Sequence, residues 1–323
     1  MTRNDVLMDL GRRCLKELNL PNMKYAFLGG SVGRGDADEF SDVDITICVE
    51  ESASFETQNL IYEGEFVQVD FISPITLDAI MENPLDYRHL LESKALYDPL
   101  GNFEAVQGEA RQYFASTIGQ TQTFAKWTNV VEQRKHWAVN SMEQNTLYSA
   151  TVAGEAAWTD AAFMAMFFDT GSCSTGMLIP WMKTNFDFQI IEDLCKWLNV
   201  SEADVRRIVR AIERFREFLR KQYPDRAHDF VLSPIQDALN AKKAQRLVKT
   251  GQLASLAWQF SGEAFWLYLE TANGLPLDEY IEKLPKPLAI DLERAGFVSL
   301  DSSSIRKLCR VADDLILRVH QSS

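Results

Sequence analysis

The 323-residue chain is 46% hydrophobic and 24% charged, ordinary proportions for a globular protein, and it is long enough for two domains with sizeable cores. Its 46 acidic and 33 basic residues leave a formal net charge of −13, and no Lys/Arg block interrupts that balance, which argues against nucleic acid as a partner. Cys14, Cys48, Cys173, Cys195 and Cys309 form neither a CxxC pair nor a metal-ligand spacing, so a disulfide framework and a zinc site are excluded and a reducing cytoplasm is the expected compartment.

The first residues lead into a charged segment rather than an apolar signal region, and no stretch is long and apolar enough for a membrane span. Val6, Leu7, Leu10, Cys14, Leu15 and Leu18 recur at helical spacing, predicting a helix over 4–18 with Asn4 as its N-cap and Pro21 beyond its end. Tyr25 to Leu28 is a short apolar segment. Gly29-Gly30-Ser31 then allows a tight turn into a helix start whose free amides attract anions, and Arg34 lies where its guanidinium could face the same anion as Ser31. This combination suits the phosphates of a nucleoside triphosphate.

From Val43 to Val49 the chain is β-branched and apolar, predicting a strand. Asp42 and Asp44 therefore share one face, about 7 Å apart along the strand, while Val43 and Ile45 point into the core. Asp70 lies in a second strand-like run, Glu65 to Ile72, where strand pairing could bring it beside the other two. Three aspartates can hold one or two Mg²⁺ ions, and one of them can take a proton from an attacking hydroxyl. Around these runs the residues predict a turn from Glu50 to Ser54, a strand at 60–62, a helix from Pro74 to Met81 and a last strand at 95–97 before Asp98-Pro-Leu-Gly101.

The joined motif, Gly29-Gly30-Ser31-Val-Gly-Arg34-Gly and, after ten residues from Ser31, Asp42-Val-Asp44-Ile45 with a later strand aspartate, resembles the signature of the DNA polymerase β-like nucleotidyltransferase superfamily. Its wording is most similar to the aminoglycoside and lincosamide nucleotidyltransferases and to minimal nucleotidyltransferases, and the resemblance spans roughly residues 20 to 100. It implies an α+β catalytic domain over residues 1–103, a mixed sheet with flanking helices, followed by an all-α acceptor-binding domain over 104–323. It further implies that Gly29, Gly30, Ser31 and Arg34 bind the nucleotide and that Asp42, Asp44 and Asp70 bind metal and carry catalysis. The expected reaction moves AMP from ATP to a small-molecule hydroxyl, with magnesium as cofactor and a monomer or homodimer as the working form. The alternative is a nucleotide-binding, antitoxin-like or regulatory protein that acts on a protein partner. Net acidity favours a cationic acceptor such as an aminoglycoside.

Beyond Glu104 strand signals vanish and helical periodicity predicts seven to nine helices, among them 120–141, 146–168, 201–222, 253–271 and 305–319. The helix over 146–168 is apolar nearly all round and reads as the centre of its domain. Glu155 and Asp160 are its only charges. Two readings of Glu155 stand: a cleft residue that contacts a cationic acceptor, or a carboxylate paired with an arginine such as Arg134. Trp158, Trp181 and Trp266 read as core or as stacking platforms. Lys126 and Lys135 read as solvated or as phosphate-reaching, and His89, His136 and His228 are isolated.

Overall fold

The computed structural model describes residues 1–20, 22–50, 57–226 and 229–322; all but Glu50 of the turn expected from Glu50 to Ser54, together with Pro21 and His228, lie outside them. The chain divides into two compact units, Met1–Lys126 and Trp127–Ser323.

The first unit runs α1 (Arg3–Leu18), β1 (Met23–Leu28), α2 (Gly30–Arg34), β2 (Val43–Val49), β3 (Gln58–Tyr62), β4 (Glu65–Ile72), α3 (Leu77–Glu82), α4 (Pro84–Tyr87), β5 (Lys94–Tyr97) and α5 (Asn102–Ala115). Its five strands form one mixed sheet in the order β3-β4-β2-β1-β5, in which β2 and β4 are parallel and the other pairs antiparallel. Period-two alternation sets its two faces. Leu28, Val43, Ile45, Ile47, Val67 and Val69 meet Leu7, Leu10, Cys14 and Leu15 of α1 in one core. On the opposite face Tyr25 and Phe27 stack against Phe103 of α5, with ring centroids 5.8 and 4.7 Å away. Asp44, Thr46, Gln68 and Asp70 alternate with the α1-facing residues and so belong to this second face.

Two helix starts differ from the sequence reading. Thr2, not Asn4, caps α1: its hydroxyl accepts from the Asp5 amide at 3.2 Å while the Asp5 carboxylate accepts from the Thr2 amide at 2.8 Å, a reciprocal box that leaves Asn4 inside the first turn. The segment at Pro74 stays non-helical until Thr76, whose hydroxyl accepts from the Ala79 amide and starts α3 at Leu77.

α6 (Thr117–Glu143) carries the chain across the division between the units. The second unit continues with α7 (Leu147–Thr170), α8 (Thr175–Asn185), α9 (Gln189–Leu194), α10 (Glu202–Gln222), α11 (Pro234–Lys249), α12 (Leu253–Thr271), α13 (Leu277–Lys283), α14 (Lys286–Arg294) and α15 (Ser302–Ser322). From α5 onward the described residues form eleven α-helices, more than the seven to nine that periodicity predicts. The excess comes from short helices, α9, α13 and α14, of six, seven and nine residues, too brief for a 3.6-residue period to be legible. α7 is the buried centre, and its small residues let α15 approach closely: a Cβ on Gly154 would lie 3.4 Å from Ile305 and 3.6 Å from Leu308. The Ser201–Asp204 capping box is formed in both directions.

α10 also places a charge in the interior. Arg216, with a side chain only 2% exposed, joins Asp237 of α11 to Glu263 of α12, the latter at 2.6 Å. Among the described residues no helix is long and apolar enough to cross a membrane.

Candidate active site

The turn after β1 is built around one close approach. Gly29 donates its amide to the Asp44 carbonyl at 2.9 Å, which pins the end of β1 against the start of β2. Gly30 follows with a φ of +56°, and a Cβ placed on it would stand 2.0 Å from Asp44 Oδ2. Glycine is required twice over here, by the backbone and by the carboxylate it packs against. Gly30→Ala is therefore expected to cost about 2–4 kcal/mol, the sum of left-handed strain and a steric clash. Gly35, with a φ of +88° and open space around it, bears the strain alone, and Gly35→Ala should cost about 1 kcal/mol. Thermal melts of the two variants check the difference; equal losses would remove the argument from Asp44.

α2 spans only five residues, so the attraction it exerts on an anion is local, arising from the amides of Gly30, Ser31 and Val32 that have no intrahelical acceptor. Ser31 is 7% exposed, and its carbonyl accepts from the amides of Gly35 and Asp36. Arg34 ends α2 and bonds Asp36 at 3.3 Å. The connecting loop is held by its own side chains, with Asp38 accepting from the Phe40 amide and the Ser41 hydroxyl.

Asp42 lies immediately before β2 and Asp44 is its second residue. In the parallel ladder Asp44 stands beside Gln68 and Thr46 beside Asp70, so Asp70 is one strand over and two residues further along the same face. The charges are close enough to act on one another. Removal from water, then the negative charges of Asp42 and Asp70, push the Asp44 carboxyl up to about 7, and Arg34 opposes them. Asp70 is held in place from both sides, Oδ1 accepting from the Thr57 hydroxyl at 2.8 Å and Oδ2 from the Gln68 amide at 2.9 Å.

Asp42 and Asp44 offer hard carboxylate oxygens, and that chemistry fits a divalent cation such as Mg²⁺. The three aspartates do not form a ready-made cluster: among the described residues no group of three or more His, Cys, Asp and Glu side chains is placed to hold a metal ion. A cavity of about 520 Å³ in this unit lies elsewhere, against Tyr25, Pro74, Ile75 and Glu109.

Sequence reasoning missed Thr57 and Gln68. Gln68 was legible in principle, two residues before Asp70 on one strand face; Thr57 carries no local signal, since only the antiparallel β3–β4 pairing delivers it.

In the second unit Arg134 does not pair with Glu155. It bonds Asp160 at 3.2 Å, while Glu155 Oε1 accepts from the indole N–H of Trp197 at 3.3 Å and the thiol of Cys195 at 3.7 Å. Desolvation pushes the Glu155 carboxyl up to about 8, against the pull of those two donors. Trp181 is a core residue whose indole bonds Asp169, Trp158 is buried, and Trp266 lines a cavity with Glu155. Lys135 is engaged by Glu132 and Asp313, and Lys126 is exposed. His89 is tucked beside Phe27 with Nδ1 2.7 Å from the Asp86 carbonyl, and burial holds its pKa down.

Residues 9–97 match the family model described as the nucleotidyltransferase domain. The matched stretch contains the Gly30 turn and all three aspartates. Among solved structures the chain is similar to a nucleotidyltransferase-like protein from Exiguobacterium sibiricum 255-15, with 14% identity over 90% of this chain and 89% of that one and a TM-score of 0.35. No curated protein matches the chain.

Proposed function

We propose that this chain is a metal-dependent nucleotidyltransferase that moves a nucleoside monophosphate, AMP from ATP, onto a hydroxyl of a small-molecule acceptor and releases pyrophosphate. The observation that carries the reading is that Asp44 and Asp70 share one face of the β2–β4 pair, with Asp42 just ahead of β2 and Gly30 against the Asp44 carboxylate, inside the stretch matched to the nucleotidyltransferase domain. In this reading the amides of Gly29 and Gly30, the Ser31 hydroxyl and Arg34 bind the phosphates. Asp42 and Asp44, with Asp70, hold Mg²⁺, which neutralises phosphate charge when bound.

The chain's own residues divide the remaining work. Arg34 draws off negative charge from the phosphates, and the Gly30 turn fixes where they lie against Asp44. Each oxygen of Asp70 accepts one side-chain hydrogen bond and keeps lone-pair capacity for a metal ion or for the proton of the acceptor hydroxyl. The acceptor oxygen bonds to the α-phosphorus as the α–β anhydride bond breaks, pyrophosphate leaves with the electron pair, and the hydroxyl proton passes to a carboxylate. An aminoglycoside-like antibiotic is one acceptor class that the net charge of −13 favours.

A screen of aminoglycosides, lincosamides and metabolite pools with the full chain, ATP and Mg²⁺ tests the proposal. The expected result is pyrophosphate release that requires one acceptor and gives an adenylylated product. Failure of every pool with folded, ATP-binding protein would overturn the small-molecule reading, and an adenylylated protein partner would replace it with the regulatory one.

A further inference from the structure

A cavity of about 460 Å³ opens within the helical unit, and its walls follow from two helix faces. Val152, Glu155, Ala156 and Thr159 recur along α7 at the spacing of one face, and Trp258, Gly262, Phe265 and Trp266 do the same along α12. Trp197, from the 3₁₀ turn Lys196–Leu198, closes a third side. Trp197, Trp258 and Trp266 are only partly buried. Aromatic side chains therefore border the space.

The charges on its walls are unequal. Asp160 has Arg134, and Glu263 has Arg216 together with Asn240, whose amide donates at 2.9 Å. Lys243 is exposed at the rim. Glu155 alone of the three carboxylates has no cationic partner among the described residues: two weak donors reach Oε1 and nothing reaches Oε2. Trp158 also lines the cavity, with its side chain almost wholly buried. An uncompensated carboxylate is costly in such surroundings unless a cation joins it, and tryptophan faces favour cations whose charge is spread over alkyl groups.

We infer that this cavity is a binding site for an organic ammonium ion, with Glu155 as its counter-ion and Trp197, Trp258 and Trp266 as its aromatic walls. The inference does not rest on the transfer reaction. Because desolvation holds the proton on Glu155, the arriving cation displaces it to solvent, while burial and Glu155 push the Cys195 thiol well up; the other charged groups on the walls are Arg134, Asp160, Glu263 and Lys243. Affinity for a permanently charged ligand should accordingly rise as pH increases from 6 to 9.

Tryptophan fluorescence of the full chain, without nucleotide, tests the site with choline and its neutral carbon isostere 3,3-dimethylbutan-1-ol as probes. Saturable quenching is expected, with choline favoured by about tenfold or more. Glu155→Gln imitates the protonated carboxyl and keeps an acceptor for Trp197, so it should fold normally and lose the preference for choline. Gly262→Leu supplies an independent test. A Cβ placed on Gly262 meets nothing within 4 Å, and leucine is the better helix former, so this variant should stay folded and block both probes. Equal affinity for the two probes, no saturable binding, or choline binding that survives both substitutions would overturn the inference.

Discussion

Asp44→Asn is expected to lower acceptor-dependent pyrophosphate release by about 10³-fold or more, because the several kcal/mol that a bound metal contributes to the transition state is lost with its ligand. The same substitution should stabilise the metal-free protein at pH 8. Folding raises the Asp44 carboxyl from 3.8 to about 7, so between those values the unfolded chain has released a proton that the folded chain keeps, and stability falls as pH rises through this window. Above about pH 7 both states are ionised and the folded one bears the cost of a charge taken out of water and set beside Asp42 and Asp70. Asparagine removes that charge, for a gain on the order of 2 kcal/mol after allowance for partial solvent access. Thermal melts at pH 5 and pH 8 beside the pyrophosphate assay separate the outcomes. A variant that is inactive but less stable at pH 8 would indicate that Asp44 is a structural residue, and full activity would sink the transfer reading.

Arg216→Met should lower the stability of the helical unit by about 3–5 kcal/mol, the range for breaking a buried ion pair by removing one partner. The guanidinium is 2% exposed and its partner Glu263 9%, so methionine fills much of the space but leaves the carboxylate without its cation. Asp237 is 41% exposed and can turn to water. The loss should therefore trace to Glu263, and adding Glu263→Gln to Arg216→Met should restore part of the urea midpoint. An exposed pair provides the contrast: Arg207, bonded to Asp204 across one helical turn, should be replaceable by Ala with no measurable change. If Arg216→Met behaves like Arg207→Ala, the buried network is not what holds α10, α11 and α12 together.

Much of the first unit is legible in the sequence because its signals are local. Alternation of Val43, Ile45 and Ile47 with Asp44 and Thr46 marks β2 and both its faces, and two adjacent glycines before Ser31 mark the turn. The support of Asp70 is not local. Thr57 reaches it only through the β3–β4 register, and that register is a property of the assembled sheet. In the helical unit the long periodic helices are legible, with α12 running from Leu253 to Thr271 as the pattern predicts. Partner choice there is not: the sequence leaves Arg134 open to Glu155 or Asp160, and packing, which no single-helix pattern encodes, gives it Asp160 and leaves Glu155 to Trp197. Trp197 sits in a three-residue turn too short for any period to announce it.

The position of β3 at the margin of the sheet bears on how steady Asp70 can be. An outermost strand has a neighbour on one side only, and β3 pairs with β4 alone, with Ile61 58% exposed. Such strands open by local unfolding more readily than the strands they flank. Each excursion that lifts the start of β3 away takes the Thr57 hydroxyl from Asp70 while β2, clamped between β1 and β4, keeps Asp44 where it is. Asp70 thus loses one of its two hydrogen bonds at the pace of the sheet's border, while Asp44 stays tied to its centre.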